Sequence, residues 1–155
     1  MNSREFILDT VVSQHPDAIS ITSTGYISRA MYDLYPDNNN IFYMQGSMGL
    51  APCIGLGMAA NSDKEIVVIS GDAALLMHLG ITHTIAEQEL KNLFIYVLDN
   101  GCHESVGEFE CAGLGENLIG ITRIFKITND GKTDRVDLDC QKNTKQIKEL
   151  FWVHF

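Results

Sequence analysis

The sequence predicts a three-layer α/β fold, a doubly wound parallel sheet, because strand-like and helix-like runs alternate along its length. Two apolar runs, Ile66-Val67-Val68-Ile69 and Leu93 to Leu98, read as strands, and the segment between them carries one apolar helical face. In chain order, Ser3 caps a first helix to about Gln14 with Phe6, Ile7, Leu8 and Val11 as its apolar face, and His15-Pro16-Asp17 stops it. Ala18 to Thr22 follows as a strand, Tyr26 to Tyr35 as a helix, Ile41 to Met44 as a second strand and Leu50 to Ala60 as a helix of small residues. A helix over 74–90 sets Leu75, Leu76, Leu79, Thr82 and Ile85 or Ala86 at three- and four-residue steps, so one face covers the sheet. After a glycine-rich loop at 101–120 come a strand from Ile121 to Thr128, a turn at Asn129-Asp130-Gly131-Lys132 and a last helix from Thr144 to Trp152. With 155 residues and 45% hydrophobic content, residues 1–155 are expected to form a single domain around one core.

The strand ends carry the chemistry. One run delivers Gly71-Asp72-Ala73 and the other ends at Asp99-Asn100-Gly101, so two strand ends are loaded with hard oxygen ligands. Strands joined by one crossover helix set their carboxyl ends side by side, where ligands bind at the switch in strand order. Asp72 and Asn100 would then face one cation. Gly71 permits close approach of a ligand, and the N–H groups opening the next helix suit a phosphate. Cation plus phosphate makes a diphosphate site, although Asp72 taken alone fits a helix cap equally well. The rival pattern Gly55-Leu56-Gly57-Met58-Ala59-Ala60 matches the dinucleotide motif G-x-G-x-x-A, but that motif opens directly after a strand, and here Gln45 to Cys53 intervenes. Its glycines read instead as close helix–sheet packing. Cys53, Cys102, Cys111 and Cys140 form no CxxC pair and read as reduced thiols; His78 and His83 lack a metal-binding spacing and read as structural.

The pair GDAALLMHLG and LDNGCHESVG resembles the thiamine diphosphate motif, in which Gly-Asp-Gly is followed about two dozen residues later by Asn-Asn or Asp-Asn. Gly46-Ser47-Met48-Gly49 before Ala51-Pro52 is similar to the segment that carries the aminopyrimidine ring in these enzymes. Within the superfamily, TSTGYISR at 22–29, GSMG at 46–49 and DNGCHESVG at 99–107 look most like the sulfopyruvate and phosphonopyruvate decarboxylases, over about residues 18 to 107. The resemblance implies a thiamine diphosphate-binding fold of the diphosphate-binding type. It also implies magnesium held by the Asp72 carboxylate, the Asn100 amide oxygen and the Cys102 backbone carbonyl, an oxygen set that magnesium favours. Ser23, Thr24, Gly71, Ala73, Ala74 and Ser105 fall near the diphosphate, Ala73 standing where the family has its third glycine. The Gly46 carbonyl and Met48 N–H, with Ser47 between them, would meet the pyrimidine, and the Met48 side chain would prop the cofactor into its bent shape. His103 and Glu104, just beyond the cation loop, are the acid–base candidates, and Arg29 could pair with a sulfonate or phosphonate.

A net charge of −9, from 20 acidic against 11 basic residues, argues against a nucleic-acid or anionic-membrane partner. A small anionic substrate must therefore meet local positive groups. No apolar stretch is long enough to span a membrane, and MNSREFILDT lacks the apolar run of a signal peptide, so a cytoplasmic protein is expected. In enzymes of this type the glutamate that activates the pyrimidine comes from a different domain. The expectation is thus the diphosphate-binding subunit of a hetero-oligomeric 2-oxo acid decarboxylase that releases an aldehyde and carbon dioxide, with a pyrimidine-binding partner supplying that glutamate. The competing readings are half of an acyl- or aldehyde-transferring thiamine enzyme and a non-catalytic flavodoxin-like or nucleotide-binding module.

Overall fold

Ser3 accepts a hydrogen bond from the Phe6 amide at 3.2 Å and so opens α1, Arg4–Gln14, in the computed structural model, which describes residues 3–128, 131 and 134–152. The elements that follow are β1 (Ile19–Thr22), α2 (Tyr26–Leu34), β2 (Ile41–Tyr43), α3 (Ala51–Ala60), β3 (Ile66–Gly71), α4 (Asp72–Met77), α5 (Ile81–Gln88) and β4 (Leu93–Asp99). A short hairpin of β5 (Cys102–His103) and β6 (Phe109–Glu110), bridged by a 3-10 turn at Glu104–Val106, precedes β7 (Arg123–Lys126) and α6 (Cys140–Trp152). Asn129, Asp130 and Lys132 of the expected turn lie outside the described residues.

The five strands of the main sheet run in the order β2-β1-β3-β4-β7 and pair in parallel throughout. The chain crosses from β1 outward to β2, then back over β1 to β3, so the direction of winding reverses between β1 and β3. That reversal opens a crevice at the strands' carboxyl ends. Side chains alternate across the sheet: Val67 and Ile69 join Ile7, Leu8 and Val11 of α1 and Ala30 and Met31 of α2 on one face. Ile66, Val68 and Ile95 join Ala51 and Ala59 of α3, Ile85 of α5 and Ile147 of α6 on the other. Each such aliphatic side chain, fully buried, contributes about 1.5–3 kcal/mol, which is why these faces fix the register of the strands they cover.

Several expectations are corrected. The helix over 74–90 is two helices, because the His78 N–H closes back on the Leu75 carbonyl at 3.1 Å and the chain passes through Gly80 before α5 begins. Leu79 falls in that break and is exposed instead of covering the sheet, and Phe6 lies outside the arc of Arg4, Ile7, Leu8 and Val11 that α1 buries. The loop at 101–120 contains the β5–β6 hairpin. The last helix begins a turn earlier than expected, where the Asp139 carboxylate accepts the Lys142 amide at 2.8 Å and caps it. That earlier turn has a purpose. Asn143 donates to the Ile41 carbonyl (2.9 Å) and accepts from the Tyr43 amide (3.0 Å), so its side chain occupies the free edge of β2.

Gly55 lies within α3, not at a strand–helix junction, and a Cβ built on it would stand 2.3 Å from Val68 Cγ2; at Gly57 nothing lies within 4 Å. The dinucleotide pattern is therefore a packing device. Gly55→Ala should cost about 1–3 kcal/mol through overpacking, whereas Gly57→Ala should gain up to about 1 kcal/mol of helix propensity. Urea unfolding of the two variants checks this, and equal effects would contradict the close approach of α3 to β3.

Candidate functional site

The crevice at the winding reversal gathers the predicted residues from four places in the chain. Ser23 and Thr24 follow β1, Met48 precedes α3, Gly71 to Ala74 join β3 to α4, and Asn100, Cys102, His103, Glu104 and Ser105 follow β4. Gly46 and Ser47 do not line the cleft; both are exposed at its rim, with Ser47 at φ +59°, a backbone angle unusual for a residue with a side chain. The cleft encloses only about 60 Å³, room for a cation and its waters but short of the ~300–1,000 Å³ that buries a whole organic ligand. A larger concavity of about 1110 Å³ lies at the amino ends of the strands. Of the polar residues lining it, Asn92 is committed to the fold, its amide donating to the carbonyls of Ala59, Ser62 and Lys64.

Asp72 is only 3% exposed. Its Oδ2 accepts the Gly101 N–H at 2.8 Å and the Cys111 thiol at 3.1 Å. Burial pushes its carboxyl above the usual carboxylate range, and the neighbouring Asp99 charge pushes the same way against these hydrogen bonds. Asp99, also 3% exposed, shares the Gly101 N–H at 3.1 Å and is balanced by an ion pair with Lys126, its register neighbour on β7. That bond to Asp99 raises the Lys126 ammonium, holding it charged. Burial, with the Asp72 carboxylate beside it, pushes the Cys111 thiol up to about 12, so Cys111 is a hydrogen-bond donor and not a nucleophile.

Asn100 is oriented from both ends: its Oδ1 accepts the Cys102 N–H at 3.2 Å, and its amide donates to Glu104 Oε2 at 3.1 Å. Glu104 in turn pairs with Arg4 at 2.7 Å, the two side chains only 8% and 1% exposed. Glu104, expected as an acid–base group, is thus tied into a buried ion pair that fixes Asn100. His103 remains in the cleft wall.

The donor set fits a hard cation. Asp72 brings a buried carboxylate whose hydrogen bonds come from neutral donors, and Asn100 brings an amide oxygen held in place by Glu104. Among the described residues no cluster of three or more His, Cys, Asp and Glu could hold a metal, so a cation here would rest on mixed oxygen donors, which suits magnesium more than zinc.

Sequence reasoning missed Arg4, Tyr26 and Cys111. Arg4 and Tyr26 both line the cleft, with the Arg4 guanidinium 5.5 Å from the Tyr26 ring centroid. A basic residue in the first turn of a helix opposes the macrodipole, and that local misfit was the available signal for Arg4. Cys111 carried none, because only the path of the loop brings it to Asp72.

The fold is shared with a solved structure of an enzyme isolated from Mycobacterium smegmatis and proposed to depend on thiamin diphosphate, at TM-score 0.59 and 20% identity over 73% of this chain and 23% of that one. In sequence, the chain is 34% identical to the sulfopyruvate decarboxylase of Methanosarcina acetivorans over 94% of its own length and 38% of that protein. It is 43% identical to the sulfopyruvate decarboxylase subunit beta of Methanothermobacter thermautotrophicus over 59% of this chain and 49% of that one. It is 40% identical to the phosphonopyruvate decarboxylase of Streptomyces hygroscopicus over 68% and 26%. The chain thus spans between about a quarter and a half of the length of these curated relatives. The family model described as the thiamine pyrophosphate enzyme, C-terminal TPP binding domain, matches residues 21–133. Together with the oxygen donors gathered where the winding reverses, this match makes the chain a member of the thiamine pyrophosphate enzyme family, in its C-terminal TPP binding domain.

Proposed function

We propose that the chain is the diphosphate- and magnesium-binding half of a thiamine diphosphate-dependent 2-oxo acid decarboxylase of the sulfopyruvate or phosphonopyruvate type, a cytoplasmic hetero-oligomer completed by a pyrimidine-binding partner. The observation that carries it is the meeting of Asp72 and Asn100 in one cleft at the winding reversal. The names of the relatives support the reaction, and the name subunit beta supports a second component. The small enclosed volume supports it too, since a whole cofactor needs a further wall.

In this reading the Asp72 carboxylate, Asn100 Oδ1 and the Cys102 carbonyl hold magnesium, and Ser23, Thr24, Gly71, Ala73, Ala74 and Ser105 meet the diphosphate. Gly46 and Met48 meet the pyrimidine through their backbone, with Ser47 turning the chain between them. The Met48 side chain holds the bent shape. The bound cofactor supplies the electron sink that decarboxylation of a 2-oxo acid requires. His103 is the acid–base group of this chain, while Arg4 and Glu104 keep Asn100 aimed.

A calorimetric titration of the chain with its pyrimidine-binding partner against thiamine diphosphate tests this, with saturable heat expected in magnesium and lost in EDTA. A flat response in both would favour the non-catalytic module. Acyl or aldehyde transfer to another acceptor would be recognised by its product in place of a free aldehyde.

A further inference from the structure

Behind the cofactor cleft stands a second buried carboxylate. Asp99 does not line the cleft, although its neighbours Leu98 and Asn100 do, and it is only 3% exposed. One backbone N–H serves both acids: Gly101 donates to Asp72 Oδ2 at 2.8 Å and to Asp99 Oδ1 at 3.1 Å. Like charges that meet at one donor repel each other, and most strongly where water is scarce. An asparagine at position 99 would accept the same N–H without a charge, so the turn itself does not demand an acid there. The acid comes with a counter-ion. Lys126 reaches Asp99 Oδ2 from β7, where the parallel register sets the two residues side by side, and its side chain stays 61% exposed.

We infer that Lys126 is a positioning residue of the cation site, acting through Asp99: its ammonium cancels the second carboxylate, so that a divalent cation at Asp72 keeps a net positive charge for the diphosphate, a role that rests on the magnesium-binding reading proposed above. A divalent cation on one carboxylate retains a single positive charge. With Asp99 added and Lys126 removed, none remains. In a chain of net charge −9, a diphosphate approaching such a neutralised cation would meet little attraction. Loss of the lysine charge therefore tightens the cation and loosens the cofactor, two changes of opposite sign. A lysine that served only to hold the edge strand β7 against β4 would weaken both together.

The chain assembled with its pyrimidine-binding partner is titrated with Mn2+, read by electron paramagnetic resonance, and with thiamine diphosphate in saturating Mg2+, read by calorimetry. Lys126→Gln is expected to bind Mn2+ at least about threefold more tightly and thiamine diphosphate at least about threefold less tightly than the parent, modest changes because water screens the exposed ammonium. Lys126→Arg keeps the charge and should match the parent in both. Asp99→Asn, which still accepts the Gly101 N–H, should bind Mn2+ at least about threefold less tightly, and it carries the test alone if melting curves show the glutamine variant unfolded. Asp99→Asn combined with Lys126→Gln restores the charge and should return both affinities to within about twofold of the parent. All these differences should shrink in about 1 M salt, where charges are screened within about 3 Å. Unchanged Mn2+ affinity in the folded single variants, or Mn2+ and cofactor affinities that fall together in Lys126→Gln, would overturn the inference and leave the proposed function standing. Mn2+ bound equally well by the parent and by Asp72→Asn would instead remove the cation site, and both readings with it.

Discussion

Asp72→Asn should stabilise the isolated chain while weakening magnesium-dependent binding of thiamine diphosphate by at least about tenfold, or roughly 1.4 kcal/mol. The two effects have opposite signs because Asp72 sits in a place good for a cation and bad for a lone carboxylate. Its carboxyl is raised by burial first and by Asp99 second. A carboxyl whose folded-state pKa lies above its unfolded value of about 4 binds protons more tightly when folded. Its ionised form therefore costs stability at every pH above the raised pKa, and that cost vanishes below the unfolded value. The contribution of Asp72 to stability falls as pH rises through this window. Asparagine removes the charge and still offers an oxygen to the Gly101 N–H, now bound at 2.8 Å. Melting temperatures measured upward from the unfolded carboxyl value of about 4 check the first half, with the variant showing the flatter profile. Calorimetry in the presence of the partner checks the second. Unchanged cofactor affinity would sink the metal assignment, and a large loss of stability would mean that the bonds from the Gly101 N–H and the Cys111 thiol outweigh the cost of burying the carboxylate.

The parts of the fold that were legible in the sequence are those in which one strand or one helix face decides its own burial. Ile66 to Ile69 and Leu93 to Leu98 stand as strands because apolar residues on both sides of the ribbon must be covered, and the sheet covers both. The helix over 74–90 was misread because apolar periodicity runs on through His78 to Gly80 while the backbone does not. Asn143 at the edge of β2 was beyond reach for another reason: its partners Ile41 and Tyr43 lie about a hundred residues away, and only the docking of α6 brings them together. The site divides in the same way. Asp72 and Asn100 were legible since a parallel sheet forces adjacent strand ends together. Arg4 reaches the cleft only because α1 packs beside α2 against the same face of the sheet, and Cys111 only because the hairpin returns its loop to Asp72.

The purified chain should release no carbon dioxide from sulfopyruvate, phosphonopyruvate or pyruvate with thiamine diphosphate and magnesium, and should do so once a pyrimidine-binding partner is added. The partner is expected to sit on the carboxyl edge of the sheet. Val106 and Phe109, on the hairpin beside the cleft, are 59% and 69% exposed, and Met77, whose Cβ lies 3.1 Å from where a Gly49 side chain would begin, is 53% exposed. Scattered surface apolars need no explanation, but several around one functional rim mark a contact surface. Phe109→Asp places a charge in that contact without touching the core, since β6 belongs to the small hairpin and not to the main sheet. The variant should melt like the parent, bind magnesium through Asp72 as before, and lose both assembly and turnover, because a buried unpaired charge at an interface costs several kcal/mol. Sedimentation of the mixed components reads the assembly, and carbon dioxide release reads the chemistry. Turnover by the chain alone would end the split-enzyme reading. Normal assembly of Phe109→Asp would move the interface away from the hairpin, and with it the reason for the hairpin to expose an aromatic ring at the mouth of a cleft too small to enclose its own cofactor.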